Sequence, residues 1–263
     1  MDMRLRGRTA FVSGSTQGIG YAIASSLAAE GVRVTVNGRD AARVEAAVAR
    51  LHAEHPGTDH RGLAADLADP AEVGRLLDDL GEVDVLVANV GLFGLADFVA
   101  VDDAEWMRYL DVNLMSGVRL SRRLLPGMLA RGWGRIVFVG SESGVDVPAD
   151  MIPYGVSKAA MLALGNGLAK RTRGTGVTVN SVLGGPTWSD GVAATVEGIA
   201  AAQGVATADM RDAIIGRNRT TLLERFLEPG EIASLVTYLA SPLASATNGA
   251  ALRADGGVLT TTL

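Results

Sequence analysis

The stretch Ser13-Gly-Ser-Thr-Gln-Gly-Ile-Gly20 lies between a β-branched run and an alanine-rich segment with helical spacing. Its glycines, Gly14, Gly18 and Gly20, follow a Gly-x-x-x-Gly-x-Gly pattern. Glycines at a strand-to-helix turn let backbone amides approach a pyrophosphate, and the start of the helix adds partial positive charge. The glycines alone would also suit a tight turn, but the strand–loop–helix context favours a phosphate-binding loop.

Outward from this loop, short β-branched runs alternate with stretches of helical spacing. We predict strands at residues 9–12, 33–37, 61–64, 83–88, 135–139, 177–182 and 250–254, and helices at 19–30, 40–54, 70–80, 103–130, 153–173 and 229–240. This alternation predicts an α/β fold, in which a seven-stranded parallel sheet carries helices on both faces. No linker divides the chain, so we expect one domain over 1–263. The segment 186–226 interrupts the alternation of strands and helices. It contains two predicted short helices (190–202 and 208–216), and we predict that it forms a lid over a binding site.

The composition excludes several classes of protein. With 48% apolar residues and a formal net charge of −5, the chain is too apolar to be disordered and too acidic for a general nucleic-acid binder. It has no cysteine, which excludes disulfides and thiolate chemistry. His52, His55 and His60 have no zinc-site spacing, so we predict no metal. Without a targeting signal or an apolar run of about 18 residues, we expect no membrane association and a cytoplasmic protein.

The end of the second predicted strand bears on the choice of dinucleotide. A carboxylate there binds the adenosine ribose and selects NAD, whereas a basic residue can hold a 2′-phosphate. Residues 36–39 contain no carboxylate, and Arg39 is available. Ser15 and Asn37 could add hydrogen bonds. This favours NADP(H), although Arg39 could instead be an ordinary solvated loop arginine.

A second group of polar residues lies in the middle of the chain. Tyr154 and Lys158 are four positions apart, so they share one face of a helix. Such a pair is often structural, but here the helix follows a strand and loop, where parallel-sheet enzymes place their chemistry. Ser141 ends the preceding strand and can donate a hydrogen bond to a carbonyl oxygen. Asn113 is unfavourable inside a helix, which suggests a functional reason for it.

Together these motifs resemble the short-chain dehydrogenase/reductase family, in its Rossmann-fold form, over essentially the whole chain. The matching segments, in order, are Gly14-x-x-x-Gly18-x-Gly20, Asp66-Leu67, Asn89-Val-Gly91, the tetrad Asn113, Ser141, Tyr154 and Lys158, Asn180 to Thr187, and Asp255-Gly-Gly257. Three positions depart from the family pattern. Ser13 stands for Thr and keeps the hydroxyl, Val90 stands for Ala and narrows the cofactor site, and Gly184 stands for Pro and loosens the loop before the lid.

The resemblance implies a mechanism in which Tyr154 exchanges a proton with the substrate oxygen. Lys158 lowers the tyrosine pKa and holds the nicotinamide ribose, Ser141 polarises the carbonyl, and Asn113 helps hold a water that links Lys158 to solvent. The implied cofactor-binding residues are Gly14, Ser15, Gly18, Ile19, Gly20, Arg39, Asp66, Leu67, Asn89, Gly91, Tyr154, Lys158, Gly185 and Thr187. Ser143 and Trp188 are candidate substrate contacts.

The resulting hypothesis is an oxidoreductase that transfers a hydride between NADP(H), or NAD(H), and a small ketone or secondary alcohol. One alternative is a 3-oxoacyl-thioester reductase of the acyl-carrier-protein type. A second, from another class, is a non-catalytic NADP(H)-binding sensor or scaffold. The small residues of helix 154–173, together with helix 103–130, also lead us to expect a homo-oligomer, either a dimer or a tetramer.

Overall fold

The computed structural model describes residues 1–217 and 221–262. The strands among them are β1 (Thr9–Val12), β2 (Arg33–Gly38), β3 (Arg61–Ala64), β4 (Val85–Ala88), β5 (Trp133–Ser141), β6 (Gly176–Gly184) and β7 (Ala251–Ala254). The helices are α1 (Gly18–Ala29), α2 (Ala41–Glu54), α3 (Pro70–Leu80), α4 (Asp103–Tyr109), α5 (Ser116–Ala130), α6 (Ile152–Arg171), α7 (Asp190–Gln203), α8 (Thr207–Arg217) and α9 (Pro229–Ala240). None of the described helices is long and apolar enough to cross a bilayer.

The described strands form one seven-stranded sheet in the order β3-β2-β1-β4-β5-β6-β7. Every pairing is parallel. The order reverses between β1 and β4, which leaves a crevice at the carboxyl ends of these two strands. The predicted doubly wound Rossmann fold is therefore confirmed.

Helices cover both faces of the sheet because its central strands are apolar on both sides. One apolar core joins α1 and α9 to the sheet and includes Ile23, Leu27 and Val236. The other joins α3 and α5 to the opposite face and includes Leu76 and Leu120. The two cores fix the strand ends, from which the loops around the crevice begin.

Strands β5 and β6 are longer than the β-branched runs predict. They pair along nine residues each, from Trp133 opposite Gly176 to Ser141 opposite Gly184. Glycines at the ends of both strands have low strand propensity, but pairing with the neighbouring strand overrides it. The extension of β5 brings Ser141 to the carboxyl edge of the sheet.

The predicted helix 103–130 is interrupted by a π-helical turn over Leu110–Met115, between α4 and α5. Within it, the backbone N–H of Ser116 donates to the carbonyl of Asp111, five residues back. Such turns occur mostly at functional sites. The fully buried Asn113 lies in this turn, which accounts for a residue that a regular helix would disfavour.

The predicted lid segment contains α7 and α8, close to the expected 190–202 and 208–216. At its start, the backbone of Trp188 donates to Leu227, and Leu227 donates back to Pro186. These bonds tie the two ends of the segment together. Residues 218–220 of the predicted lid lie outside the described residues.

Candidate active site

A cavity of about 760 Å³ lies at the carboxyl ends of the strands, beside the reversal of strand order. Arg39 and Asp66 line it on the side of β2 and β3, and Tyr154 and Lys158 line it on the side of α6. The predicted residues along it are Gly14, Gly18, Ile19, Gly20, Arg39, Asp66, Leu67, Asn89, Gly91, Tyr154 and Lys158. The structure thus brings most of the predicted cofactor residues into one cavity.

The glycine loop is held by a clamp between Ser13 and Asn89. The Ser13 hydroxyl accepts the backbone N–H groups of Asn89 and Val90, at 2.8 and 3.0 Å. The Asn89 side-chain amide donates to the carbonyls of Ser13 and Gly14, both at 3.0 Å. The hydroxyl that serine shares with threonine therefore joins the glycine loop to the residues after β4.

Close backbone approach explains the last glycine of the loop. A Cβ at Gly20 would lie 2.2 Å from the carbonyl oxygen of Gly14 and 2.5 Å from the side-chain nitrogen of Asn89. No side chain fits at those separations. The backbone N–H of Gly18, at the start of α1, donates to the carboxylate of Asp190 at 2.6 Å. The N-terminus of α1 is therefore already paired with an anionic group from α7.

The side chains of Ser15 and Asn37 are hydrogen-bonded within the protein, although Asn37 lines the cavity, and their contact with a dinucleotide stays a prediction. Ser15 is fully buried, and its hydroxyl donates to Val12 and accepts from the Asn37 N–H. The Asn37 amide donates to Leu63, and its oxygen accepts the Gly14 N–H. Both side chains join β1 to its neighbours, because buried polar groups must be paired within the protein.

The cavity wall on the β2 side carries two arginines and two aspartates: Arg39, Arg43, Asp40 and Asp66. Arg39 is exposed and lies 4.0 Å from the Asp66 carboxylate. The Asp40 carboxylate caps the start of α2 by accepting the Arg43 N–H, so it is used inside the protein. Arg43 also lines the cavity and hydrogen-bonds to the side chain of Gln17. Sequence reasoning missed Arg43, which the first turn of α2 places beside Arg39.

Tyr154 and Lys158 lie on the first turns of α6, as the spacing predicts. Lys158 is 4% exposed, and its ammonium donates to the carbonyl of Val139 at 2.9 Å. Burial lowers the pKa of Lys158 to about 8. A Cβ at Gly91 would lie 3.4 Å from the Lys158 ammonium, so this glycine leaves space beside it.

Burial raises the pKa of Tyr154, and the charge of Glu142 raises it further, while a hydrogen bond with Ser141 lowers it. The resemblance implies that Lys158 lowers this pKa. In the structure the ammonium lies 5.7 Å from the centre of the tyrosine ring and donates to a carbonyl, and the lowering of the tyrosine pKa by Lys158 stays a prediction. The raised pKa favours the protonated form of Tyr154.

Ser141 lies beside Tyr154 and is bound to a carboxylate that the sequence analysis did not single out. Its hydroxyl donates to Glu142 at 2.6 Å and accepts the N–H of Ser143 at 3.1 Å. The Ser143 hydroxyl donates to the same carboxylate at 3.2 Å. Ser141 and Ser143 are about 5% and 4% exposed and do not belong to the described lining of the cavity. A carboxylate next to a predicted catalytic serine was the available signal.

The side chain of Asn113 is used entirely by protein partners. Its nitrogen donates to the Leu92 carbonyl at 2.9 Å and to the Ser157 hydroxyl at 2.8 Å, and its oxygen accepts the Leu92 N–H at 2.6 Å. Asn113 therefore joins the loop after β4 to α6. The water relay implied by the resemblance stays a prediction.

Gly185, Thr187 and Trp188 lie around the start of the predicted lid segment and are not part of the described cavity lining, which includes the next residue, Ser189. A Cβ at Gly185 would come within 2.4 Å of the Asp255 carbonyl, which explains the glycine. Thr187 is 4% exposed and bonds to Gly185. Trp188 packs edge-on against Phe226 at 5.2 Å. In this arrangement the three residues support the lid, and contact with a ligand stays a prediction for them.

The three histidines have protein partners. The nitrogen of His52 accepts the backbone N–H of His60 at 3.0 Å, and His55 lies 2.8 Å from the hydroxyl of Ser25. Among the described residues, no group of three histidine, aspartate or glutamate side chains is arranged to hold a metal ion.

A glycine loop lies at the reversal of strand order, and a Tyr–Lys pair lies across the cavity from it. Together with the fold, these features define an oxidoreductase of the Rossmann type. Residues 8–200 match the family model described as short chain dehydrogenase. The chain belongs to the short-chain dehydrogenase/reductase family, which confirms the resemblance seen in the sequence.

Relatives and solved structures agree with this assignment. The chain is 43% identical to the oxidoreductase YvrD of Bacillus subtilis, over 98% of this chain and 99% of the relative. It is 31% identical to the 3-oxoacyl-[acyl-carrier-protein] reductase FabG of Vibrio cholerae, over 97% and 99%. It superposes with a TM-score of 0.94 and 29% identity on L-sorbose reductase of Gluconobacter frateurii, solved with NADPH and L-sorbose, covering 99% and 100% of the two chains.

Proposed function

We propose that the protein is an NADP(H)-dependent oxidoreductase that interconverts a small ketone and the corresponding secondary alcohol. The observation that carries the proposal is a single cavity with Arg39 and Arg43 on one side and Tyr154 and Lys158 on the other. A dinucleotide phosphate suits the first pair, and proton transfer at an oxygen suits the second.

The residues present fit a dinucleotide. The Gly18 N–H already holds a carboxylate, which shows that the start of α1 accepts an anion. The charge at Arg39 and Arg43 fits a ribose phosphate, because the Asp40 carboxylate is used by the α2 cap and the Asp66 carboxylate lies no nearer than 4.0 Å to Arg39. The NADPH complex of L-sorbose reductase, which has this fold, supports the same cofactor. When bound, the cofactor supplies the hydride.

The chain supplies the proton and the positioning. Tyr154, held protonated by burial, donates its proton to the substrate oxygen during reduction and takes it back during oxidation. Ser141 orients the same oxygen, and Lys158 places a positive charge beside the site. Asn113 fixes the Leu92 backbone and Ser157, which keeps α6 in register with the loop after β4. Predicted contacts of Ser143 and Trp188 with substrate remain part of the proposal.

A 3-oxoacyl-thioester reductase is the second candidate within this chemistry. The likeness to FabG of Vibrio cholerae favours it. A panel of carrier-bound 3-oxoacyl substrates beside simple and hydroxylated ketones separates the two. A non-catalytic sensor or scaffold would bind NADP(H) tightly and turn over none of them. Cytoplasmic location and assembly as a dimer or tetramer also remain predictions, the latter checked by light scattering.

The test follows NADPH absorbance with the carbonyl panel, for the wild type and for Tyr154→Phe. We expect turnover by the wild type, its loss in Tyr154→Phe, and an unchanged NADPH dissociation constant. Tyr238→Phe, on the outer face of α9, is the matched control and should behave as the wild type. An active Tyr154→Phe enzyme would remove Tyr154 from the proposed mechanism.

A further inference from the structure

We propose that Glu142 is a positioning residue that sets whether the Ser141 hydroxyl donates to the substrate oxygen. Glu142 begins the short 3₁₀ turn Glu142–Gly144, directly after β5. One carboxylate oxygen accepts the Ser141 hydroxyl at 2.6 Å, and the other accepts the Ser143 hydroxyl at 3.2 Å. The inference rests on the proposed carbonyl–alcohol chemistry and adds a residue to it.

The hydrogen bonds of Ser141 carry the argument. A serine hydroxyl has one proton, and here that proton is given to Glu142. The oxygen also accepts the Ser143 N–H at 3.1 Å. With Glu142 ionised, the carboxylate holds the Ser141 proton at 2.6 Å and competes for it with Tyr154, whose pKa the same hydroxyl lowers, so the proton is withheld from a substrate carbonyl. With Glu142 protonated, the carboxyl donates to Ser141, and the Ser141 proton is free to turn toward the substrate.

The charge of Glu142 also acts on the other two residues of the site. The elements packed against its turn are α6 and β6. Helix α6 presents Tyr154 and Lys158, and the negative charge of Glu142 raises the pKa of both. Strand β6 carries no ionisable side chain. Tyr109 acts on Tyr154 from the C-terminal end of α4.

Burial opposes the ionised form of Glu142 and raises its pKa, while hydrogen bonds from Ser141 and Ser143 lower it. The Glu142 carboxyl should therefore gain and lose its proton at a higher pH than a surface glutamate does. Reduction, which needs Ser141 as a donor, is favoured while Glu142 is protonated. Above its pKa, reduction should lose about tenfold in kcat/KM for each pH unit.

The test compares pH profiles of the wild type, Glu142→Gln and Asp146→Asn. Asp146 lies four positions after Glu142 and is exposed. Asp146→Asn therefore removes the same charge outside the site. In ketone reduction, kcat/KM of the wild type should fall above the pKa of Glu142. We expect this fall to be absent in Glu142→Gln. The alkaline limb of alcohol oxidation should move to lower pH, because the charge that raises the pKa of Tyr154 and Lys158 is gone. Unchanged profiles in Glu142→Gln would overturn the proposal.

A second measurement does not depend on turnover. Difference infrared spectra of the wild type, recorded across the pH range, should show a protonated carboxyl band that titrates and is absent in Glu142→Gln but retained in Asp146→Asn. If the wild type shows this band but no turnover, the proposed function is wrong, while the titration of Glu142 is confirmed. A wild type with turnover but without the band would overturn only the role of Glu142.

Discussion

The backbone N–H of Gly18 donates to the carboxylate of Asp190 over 2.6 Å, although the two residues lie 172 positions apart. The glycine loop and the lid segment are therefore joined at the start of α1. This is the position where a helix N-terminus attracts an anionic ligand. A residue of the predicted lid segment thus occupies part of the anion site.

Asp190→Asn should strengthen NADPH binding by about two- to fivefold, since it removes a negative charge next to a bound pyrophosphate at a helix N-terminus. Asparagine has the same shape and keeps the Gly18 bond through its oxygen. Fluorescence titration with NADPH measures the change. Glu197→Gln, on the exposed face of α7, is the control and should leave the affinity as it is. Weaker binding in Asp190→Asn would show that the carboxylate supports the cofactor site instead.

Arg39→Ala should lower kcat/KM with NADPH by about tenfold or more and leave kcat/KM with NADH nearly unchanged, because a charge-assisted bond to a phosphate is lost. Arg43→Ala should act in the same direction. Arg33→Ala, at the exposed opposite end of β2, is the matched control. Equal or better rates with NADH in the wild type would rule out this role for Arg39.

Lys158→Met should stabilise the protein at pH 7 while abolishing turnover. Burial lowers the pKa of Lys158 from 10.5 to about 8, so the folded state binds this proton more weakly than the unfolded state does. The penalty is fully present below pH 8 and disappears above pH 10.5. This penalty is on the order of 3 kcal/mol. The variant removes the penalty but also loses the hydrogen bond to Val139, which reduces the gain in stability.

Urea unfolding at pH 7 and at pH 10.5 measures this gain. The stabilisation of Lys158→Met should be present at the first pH and absent at the second. Lys170 is the other lysine of the chain, and it is exposed near the end of α6. Lys170→Met should therefore change the free energy of unfolding little at either pH.

Arg135→Ala should destabilise the protein by about 3 kcal/mol or more. This arginine is 2% exposed, and its guanidinium donates to the carbonyls of Gly134, Gly176 and Ser241. The variant leaves buried carbonyls without donors, at about 1–3 kcal/mol each. Arg122→Ala, on the exposed face of α5, should stay within about 0.5 kcal/mol. Thermal and urea unfolding compare the two.

The fold was readable from the sequence because a parallel sheet buried on both faces needs uninterrupted apolar strands. Such runs stand out between alanine-rich helices, and they place the loops after them. The lengths of β5 and β6 were not readable, since they depend on pairing between strands that lie far apart in the chain. Glycines such as Gly140 and Gly184 obscure that extension.

The site was readable where a residue's position along an element decides its role. The spacing of Tyr154 and Lys158 and the glycines of the loop are of this kind. The direction of a hydrogen bond is not encoded in spacing, so the sequence did not show that the Ser15 hydroxyl is bonded within the protein, to Val12 and Asn37. For the same reason the bonds made by Glu142 and Asp190 were not predictable, although the place of Glu142 next to Ser141 was a signal in the sequence. Their partners are fixed only when the loops after β5 and β6 have folded.

The π turn over Leu110–Met115 has a consequence for how this chain can change over evolutionary time. Its bond from Ser116 to Asp111 spans one residue more than an α-helical bond, so α4 and α5 are out of phase by about 100°. Removing one residue there would restore a continuous helix and turn Asn113 away from Leu92. No single substitution has that effect. The length of this stretch is therefore a trait that descendants must inherit intact, together with Asn113 itself.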